Sequence, residues 1–154
     1  MSKILNFTVI FFLLKISVAS AEIIKPSIGI KPARVIQIQL EGLKKNDTPN
    51  KDRGIEQTWE FAHPSNQRFT GPLSRFKKMI KGDSYNMLLN HLSNNIVEMY
   101  RDENKAVYEV TVLDTNKKYF KFRWEVEKFL DKGPLNNCWL TTLVSQPIPL
   151  GSSI

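Results

Sequence analysis

The spacing of apolar residues changes once along this chain, near Leu92, and that change limits the folds open to it. Before Leu92, apolar residues recur every three or four positions, as they do on one face of a helix. After Leu92 they alternate with polar residues, as in strands with one buried and one solvated face. Helices followed by alternating strands predict an α+β domain, with the helices on one face of a curved antiparallel sheet.

Three helices are predicted before the change. The first covers residues 33–45, the second ends near Phe61, and the third spans about ten residues after Gly71-Pro72. In the first helix the polar side chains, Gln39 among them, are expected mostly to face water. His63-Pro64-Ser65-Asn66 is predicted to be a turn.

About four strands are predicted after the change, followed by a C-terminal tail at 147–154. They lie near residues 96–100, 107–113, 119–129 and 138–144, and short polar segments between the first three suit hairpins. Trp124 falls in phase with the apolar residues of the third strand and is therefore expected in the core. With an extended lead-in at 22–32, residues 33–146 form one predicted domain.

Residues 1–21 have the pattern of a cleavable signal peptide. Lys3 precedes an apolar run from Phe7 to Leu14, and Ala19-Ser20-Ala21 has the small residues of a cleavage site. The alternative is a membrane anchor, but Lys15 interrupts a run that is too short to span a bilayer. We expect export to the periplasm or the medium in a bacterium, or to an organelle lumen in a photosynthetic eukaryote.

The composition of the exported chain excludes several classes of protein. Removal of residues 1–21 takes away two lysines and no acid, so the net charge falls from +7 to +5, which is mildly basic. One cysteine, Cys138, cannot form an intramolecular disulfide, and its position in an apolar run predicts an inert core thiol. His63 and His91 lie far apart without nearby thiols, so neither a metal nor a cofactor is expected.

No motif for catalysis is recognisable. The chain has no phosphate-binding loop, no dinucleotide fingerprint and no nucleophile elbow. We therefore assign no catalytic residue. His63, directly before Pro64, is expected to anchor a turn by hydrogen bonds.

Several segments resemble the family called domain of unknown function 4864, found in small exported bacterial proteins and in some photosynthetic eukaryotes. The resemblance covers about residues 33–146, and its most specific part is Thr70-Gly71-Pro72-x-x-Arg75-Phe76-x-x-Met79. Leu140 stands where the family often has Met. The other segments are Gln39-Leu40-Glu41-x-Leu43-x-x-Asn46-Asp47, Gly54-Ile55, Phe61-Ala62-x-Pro64-x-Asn66 and Cys138-Trp139-Leu140-Thr141.

The order of elements is also similar to the cone of cystatin or nuclear transport factor two-like proteins. Such a cone implies a pocket between the helices and the inward face of the third strand. Its candidate ligand-binding residues are Trp59, Tyr85, His91, Trp124 and Trp139. We expect a non-catalytic domain that binds a small apolar ligand or a protein partner. The alternative is a small isomerase- or dehydratase-like enzyme that uses His91, Tyr85 and Asp83 for acid–base chemistry. The sequence leaves open whether the domain forms a homodimer.

A basic segment lies between Glu60 and Asp83. It contains five basic residues and no acid, which favours either a solvated helix face or contact with an anionic surface such as a membrane. Nucleic acid is not expected as a partner, because exposed aromatic residues do not alternate with these charges. The five residues are Arg68, Arg75, Lys77, Lys78 and Lys81.

Arg75 lies one turn into the third helix, where its charge opposes the positive end of the helix dipole. This placement predicts an acidic partner, either inside the domain or outside it. Glu41 and Asp47 are the internal candidates, and Thr70 is expected to bind free backbone donors at the helix start.

The signal-peptide interpretation predicts cleavage after Ala21, because the small-residue site directly follows the apolar run. N-terminal sequencing of the exported protein should therefore begin at Glu22. Recovery of residues 1–21 on membrane-bound protein would contradict cleavage and support the anchor.

Overall fold

The structure is a computed structural model that describes residues 22–152, so the predicted signal peptide lies outside it. Four helices precede five strands, which confirms the α+β class. The number of helices and the number of strands are each one higher than predicted. Within this range, none of the helices is both long enough and apolar enough to cross a membrane. The elements are α1 (Pro32–Lys44), α2 (Arg53–Glu60), α3 (Pro64–Thr70), α4 (Leu73–Lys81), β1 (Ser93–Arg101), β2 (Lys105–Leu113), β3 (Lys118–Lys128), β4 (Trp139–Val144) and β5 (Ile148–Ser152), with a 3₁₀ turn at Asn86–Leu88 before β1.

Helix α1 is the central helix of the helical layer. Pro32 occupies its first turn, where no backbone N–H is needed. Its buried stripe includes Val35, Ile36, Leu40 and Leu43, as the spacing predicts. Gln39 is also buried, with only 1% of its surface exposed, so the expectation that it faces water is wrong. Position 39 lies four residues after Val35 and four before Leu43, which places it inside the apolar stripe.

Helices α1 and α2 meet at two glycines. A Cβ atom on Gly54 would lie 2.0 Å from the carbonyl oxygen of Gly42, so the two backbones touch directly. Asn46 fixes this corner, because its backbone oxygen accepts from Gly54 N at 2.9 Å and its Oδ1 accepts from Ile55 N at 3.1 Å. Asp52 precedes α2 but makes no side-chain cap to it.

Helix α3 lies where the sequence pattern predicts only a turn. His63 begins it by accepting a hydrogen bond from Ser65 N at Nδ1, over 3.1 Å, and Pro64 takes the first helical position. The predicted hydrogen-bonding role of His63 is therefore confirmed. The predicted turn, however, continues as a helix of seven residues.

Helix α4 follows Gly71-Pro72 and ends directly before Gly82, as predicted. It buries Phe76 and Ile80. Thr70 does not bind the free donors at its start, because its hydroxyl donates to the Asn66 carbonyl of the preceding helix at 2.8 Å.

The sheet is antiparallel and open, with the order β1-β2-β3-β4. Asp102 and Asp114 form its two predicted hairpin turns, since each Oδ1 accepts two backbone N–H groups at 2.7 to 2.9 Å. Strand β3 is long enough to pair with β4 over residues 124–128 and with β5 over residues 118–121. Part of the predicted tail is thus a fifth strand.

The two faces of β3 differ as the alternation predicts. Phe122, Trp124 and Val126 point into the core and are at most 1% exposed, so the prediction for Trp124 is confirmed. On the outer face, Glu125 lies 2.7 Å from Lys105 Nζ and 2.6 Å from Arg123 Nε. The pair of Lys105 with Glu125 crosses between strands and joins β2 to β3, whereas Arg123 and Glu125 pair along β3.

The helical layer is pinned to the sheet at β4. Ala62, between α2 and α3, forms a parallel bridge with Thr141. Thr141 N donates to Phe61 O, and His63 N donates to Thr141 O, each at 2.8 Å. The helices beyond this point are therefore held at the β4 edge of the sheet.

The glycine contact predicts a severe effect of Gly54→Ala, because the added methyl group would overlap the Gly42 backbone. We expect a loss of more than about 2 kcal/mol of unfolding free energy, measured by urea denaturation. Gly29→Ala is the matched control, since nothing lies within 4 Å of a Cβ atom there. Equal stability of the two variants would contradict the close contact of α1 with α2.

Candidate functional site

A cavity of about 570 Å³ lies between the helices and the β4 edge of the sheet. The cavity exists because the α2–α3 connection is fixed to Thr141. With that connection fixed, α4 and the segment after it face β4 across open space. The cone expected from the sequence has its pocket along β3, but Trp124 is the only β3 residue among those that line the cavity. The cavity therefore lies at the edge of the sheet and not at its centre.

The walls are mostly apolar. Helix α1 contributes Leu43, and the β4 side contributes Leu143 and Val144. The α4 side contributes most of the remaining apolar surface, through Phe76, Met79, Ile80 and Leu88.

A buried amide forms the polar base of the cavity. Gln39 Oε1 accepts from Thr141 Oγ1 at 2.7 Å and from Trp124 Nε1 at 3.2 Å. Gln39 Nε2 donates to the Thr58 carbonyl at 3.0 Å. All four residues line the cavity, so this network fixes the shape of its base and satisfies the polar atoms buried there.

The other polar groups lie closer to the surface. Tyr85 donates from its hydroxyl to the Val144 carbonyl at 3.3 Å and accepts from Gln146 Nε2 at 3.4 Å. Burial raises the pKa of the Tyr85 hydroxyl, so it stays neutral and able to donate. Phe69 also lines the cavity, although 81% of its surface is exposed.

The structure brings two of the five predicted ligand-binding residues to the cavity. Trp124 lies at its base and Tyr85 near its surface. Trp59, His91 and Trp139 are not among the residues that line it.

His91 is held within the protein by both ring nitrogens. Nδ1 lies 2.8 Å from the Leu88 carbonyl, and Nε2 lies 2.8 Å from Asn94 Nδ2. The side chain is 1% exposed, and this burial lowers its pKa. The predicted arrangement of His91, Tyr85 and Asp83 is therefore incomplete, because only the last two residues reach the cavity.

The two other predicted tryptophans have packing roles. The Trp59 ring lies 5.0 Å from the Phe76 ring, which joins α2 to α4. A Cβ atom on Gly71 would lie 2.7 Å from Trp59 Cη2, so a glycine is needed there. Trp139 is 7% exposed, with Lys128 Nζ 5.4 Å from the centre of its ring.

The basic segment divides into two groups. Lys77 Nζ lies 2.7 Å from Glu56, and Lys81 Nζ lies 2.7 Å from Asp52. The hydrogen bond from Lys81 holds the pKa of Asp52 below its usual value. These two lysines thus form ion pairs with one acid of α2 and with the acid that directly precedes α2.

The remaining basic residues, Arg68, Arg75 and Lys78, are exposed. Within residues 22–152, the Arg75 guanidinium makes no hydrogen bond or salt bridge, so the prediction of an internal acidic partner is wrong. Glu41 instead lies 2.8 Å from Arg34, and Asp47 accepts from Asp52 N at 2.9 Å.

Sequence reasoning missed Gln39, Asn66 and Thr141 as residues of the site. Each is polar in a segment with an apolar or turn-forming pattern, so the pattern alone suggested solvent or a turn. Among residues 22–152, no three His, Cys, Asp or Glu side chains come together as a metal site requires. Cys138 is buried as predicted, and burial raises the pKa of its thiol.

The fold and the cavity define a small α+β domain with an open five-stranded sheet and a cavity at one edge. The family model described as Domain of unknown function (DUF4864) matches residues 30–142, and the chain belongs to this family. No curated protein and no solved structure matches the chain. The expected similarity to the nuclear transport factor two-like cone is therefore not confirmed.

The amide network predicts that Gln39→Met destabilises the domain, although the two side chains have similar shapes. The change leaves the Thr58 carbonyl without its side-chain donor and Trp124 Nε1 with only the 3.4 Å contact to Thr141. We expect a loss of about 2 to 4 kcal/mol in urea denaturation.

Gln37→Met is the matched control, since Gln37 is exposed on the same helix. It should change the unfolding free energy by less than about 0.5 kcal/mol. A similarly small effect at Gln39 would contradict a structural role for the network.

Proposed function

We propose that this domain binds a small apolar ligand, without catalysis, in the cavity between α4 and β4. The observation that carries the proposal is a largely apolar cavity whose base holds an amide that is hydrogen-bonded at both its oxygen and its nitrogen. Sites for small molecules commonly have this form, in which apolar walls supply affinity and a few fixed polar groups supply orientation.

The size of the cavity supports a ligand rather than a few water molecules. At about 570 Å³ it falls within the range of about 300 to 1,000 Å³ that is usual for small-molecule sites. An apolar ligand that covers these walls would be bound favourably, because both apolar surfaces would be removed from water.

The charges around the cavity favour a neutral ligand. Asp83 is the charged side chain among the residues that line it, and it is exposed near the surface. A ligand with a carboxylate or phosphate buried at the base would find no cation there among the described residues. An apolar body with one hydrogen-bonding end near Tyr85 and Gln146 fits better.

Acid–base catalysis is the weaker candidate. A general base must lie within hydrogen-bonding reach of the substrate, and His91 is occupied by Leu88 and Asn94 away from the cavity. Gln39, Thr141 and Trp124 at the base do not titrate near neutral pH.

Binding is tested with N-phenyl-1-naphthylamine, an uncharged probe whose fluorescence rises in an apolar site. The wild-type protein should bind it with a saturable increase in fluorescence. Leu143→Trp should weaken this binding about tenfold or more, because the larger side chain fills space that the probe requires.

Leu143 is 41% exposed, so the larger side chain should be tolerated by the fold. Leu130→Trp is the matched control, since Leu130 is 60% exposed and does not line the cavity. Thermal denaturation of both variants separates loss of binding from loss of folding. Equal probe binding by folded wild type and folded Leu143→Trp would overturn the proposal.

A further inference from the structure

The opening of the cavity carries an exposed aromatic side chain beside basic ones. Phe69 is 81% exposed although it lines the cavity, and Arg68 directly precedes it near the end of α3. A large apolar side chain so exposed at the mouth of an apolar cavity is unfavourable in water.

Helix α4 has two sides with different basic residues. Lys77 and Lys81, four positions apart, lie on the side that meets the acids Glu56 and Asp52. Arg75 lies four positions before Met79, which lines the cavity, and so lies on the cavity side. Lys78 lies three positions after Arg75 and three before Lys81, so it lies between the two sides, and it is exposed.

The domain does not neutralise three basic side chains near the cavity mouth. Arg68, Arg75 and Lys78 are exposed, and the charged group of none of them makes a hydrogen bond or salt bridge to a residue within 22–152. The acid among the cavity residues, Asp83, lies beyond the opposite end of α4 from Arg75. We call Arg68, Phe69, Arg75 and Lys78 the docking rim.

We propose that the docking rim binds an anionic lipid surface, with Phe69 inserted among the lipids and the three basic side chains on the headgroups. Basic residues are attracted to anionic membranes, and an aromatic side chain at the interface adds apolar contact. Docked in this way, the mouth of the cavity faces the lipid phase, from which an apolar ligand is taken or to which it is released.

A lipid surface explains the rim better than an acidic protein does. Charge alone would serve an acidic protein, whereas the exposed Phe69 at the mouth also gains free energy from insertion into an apolar phase. Docking depends on the rim, and ligand binding depends on the interior, so each proposal fails independently of the other.

The test is co-sedimentation with vesicles, using vesicles of phosphatidylcholine alone and of phosphatidylcholine with an equal share of phosphatidylglycerol. Wild-type protein should sediment with the mixed vesicles at low salt, much less with phosphatidylcholine alone, and less as salt rises. Failure to bind the mixed vesicles at low salt would overturn the proposal, even if the naphthylamine probe occupies the cavity.

Variants then locate the binding surface. The double variant Arg75→Gln, Lys78→Gln should lower the partition coefficient about 25-fold, or about fivefold for each charge. The control is Lys117→Gln, Lys118→Gln, which removes the same charge from the β2–β3 turn. This turn is remote from the cavity, because Lys118 lies six residues along β3 from Trp124 at the cavity base, or about 20 Å. Equal losses of vesicle binding for the two double variants would show that binding depends on net charge alone. That result would overturn the assignment of binding to the docking rim.

Phe69→Ala tests the lipid assignment. It should lower the partition coefficient roughly tenfold, because the inserted ring loses its apolar contact. Ile148→Ala is the control, since Ile148 is 53% exposed on β5 and outside the cavity. Loss of binding in the charge variant with none in Phe69→Ala would overturn insertion and point to an acidic protein surface. Folded Leu143→Trp should bind the mixed vesicles as wild type does, which keeps docking separate from occupancy of the cavity.

Discussion

The structure depends on the burial of one amide side chain. Gln39 reaches from α1 to the Thr58 carbonyl of α2, to Trp124 of β3 and to Thr141 of β4. A buried amide is costly unless both of its ends are hydrogen-bonded, so these contacts form together or the domain loses stability. They set the distance between the helical layer and the sheet, and they specify one arrangement among those that apolar packing alone would permit.

The cavity is a consequence of this arrangement. Thr141 is held by Gln39 through its side chain and by Phe61 and His63 through its backbone. The α2–α3 connection is thereby fixed to β4, and α4 packs on Trp59 through Phe76 rather than on the sheet. The space left between α4 and β4 has apolar walls and a satisfied polar base, and these properties suit binding better than proton transfer.

The distribution of acids decides what the basic segment does. Glu56 and Asp52 neutralise Lys77 and Lys81 on one side of α4, where the ion pairs join α4 to the α2 region. The other side meets no acid among the described residues and adjoins the cavity. One helix thus combines an internal electrostatic contact with an exposed charged side, and the exposed Phe69 gives that side a preference for an interface between water and an apolar phase.

The sequence by itself determined the α+β class, the core position of Trp124 and the Asp-capped hairpins, because each depends on neighbours a few positions apart. It also contained the signal for Gln39, whose position falls within the apolar stripe of α1. It did not determine α3, since Pro64, Ser65 and Asn66 are equally typical of turns and the helix is held in place by the bridge to Thr141. The place of the cavity, the exclusion of His91 from it and the pairing of Lys77 and Lys81 were decided by the tertiary structure alone. Each of these depends on contacts between side chains that are remote in sequence and come together only when the helices pack on the sheet. The periodicity of apolar residues carries no information about such contacts.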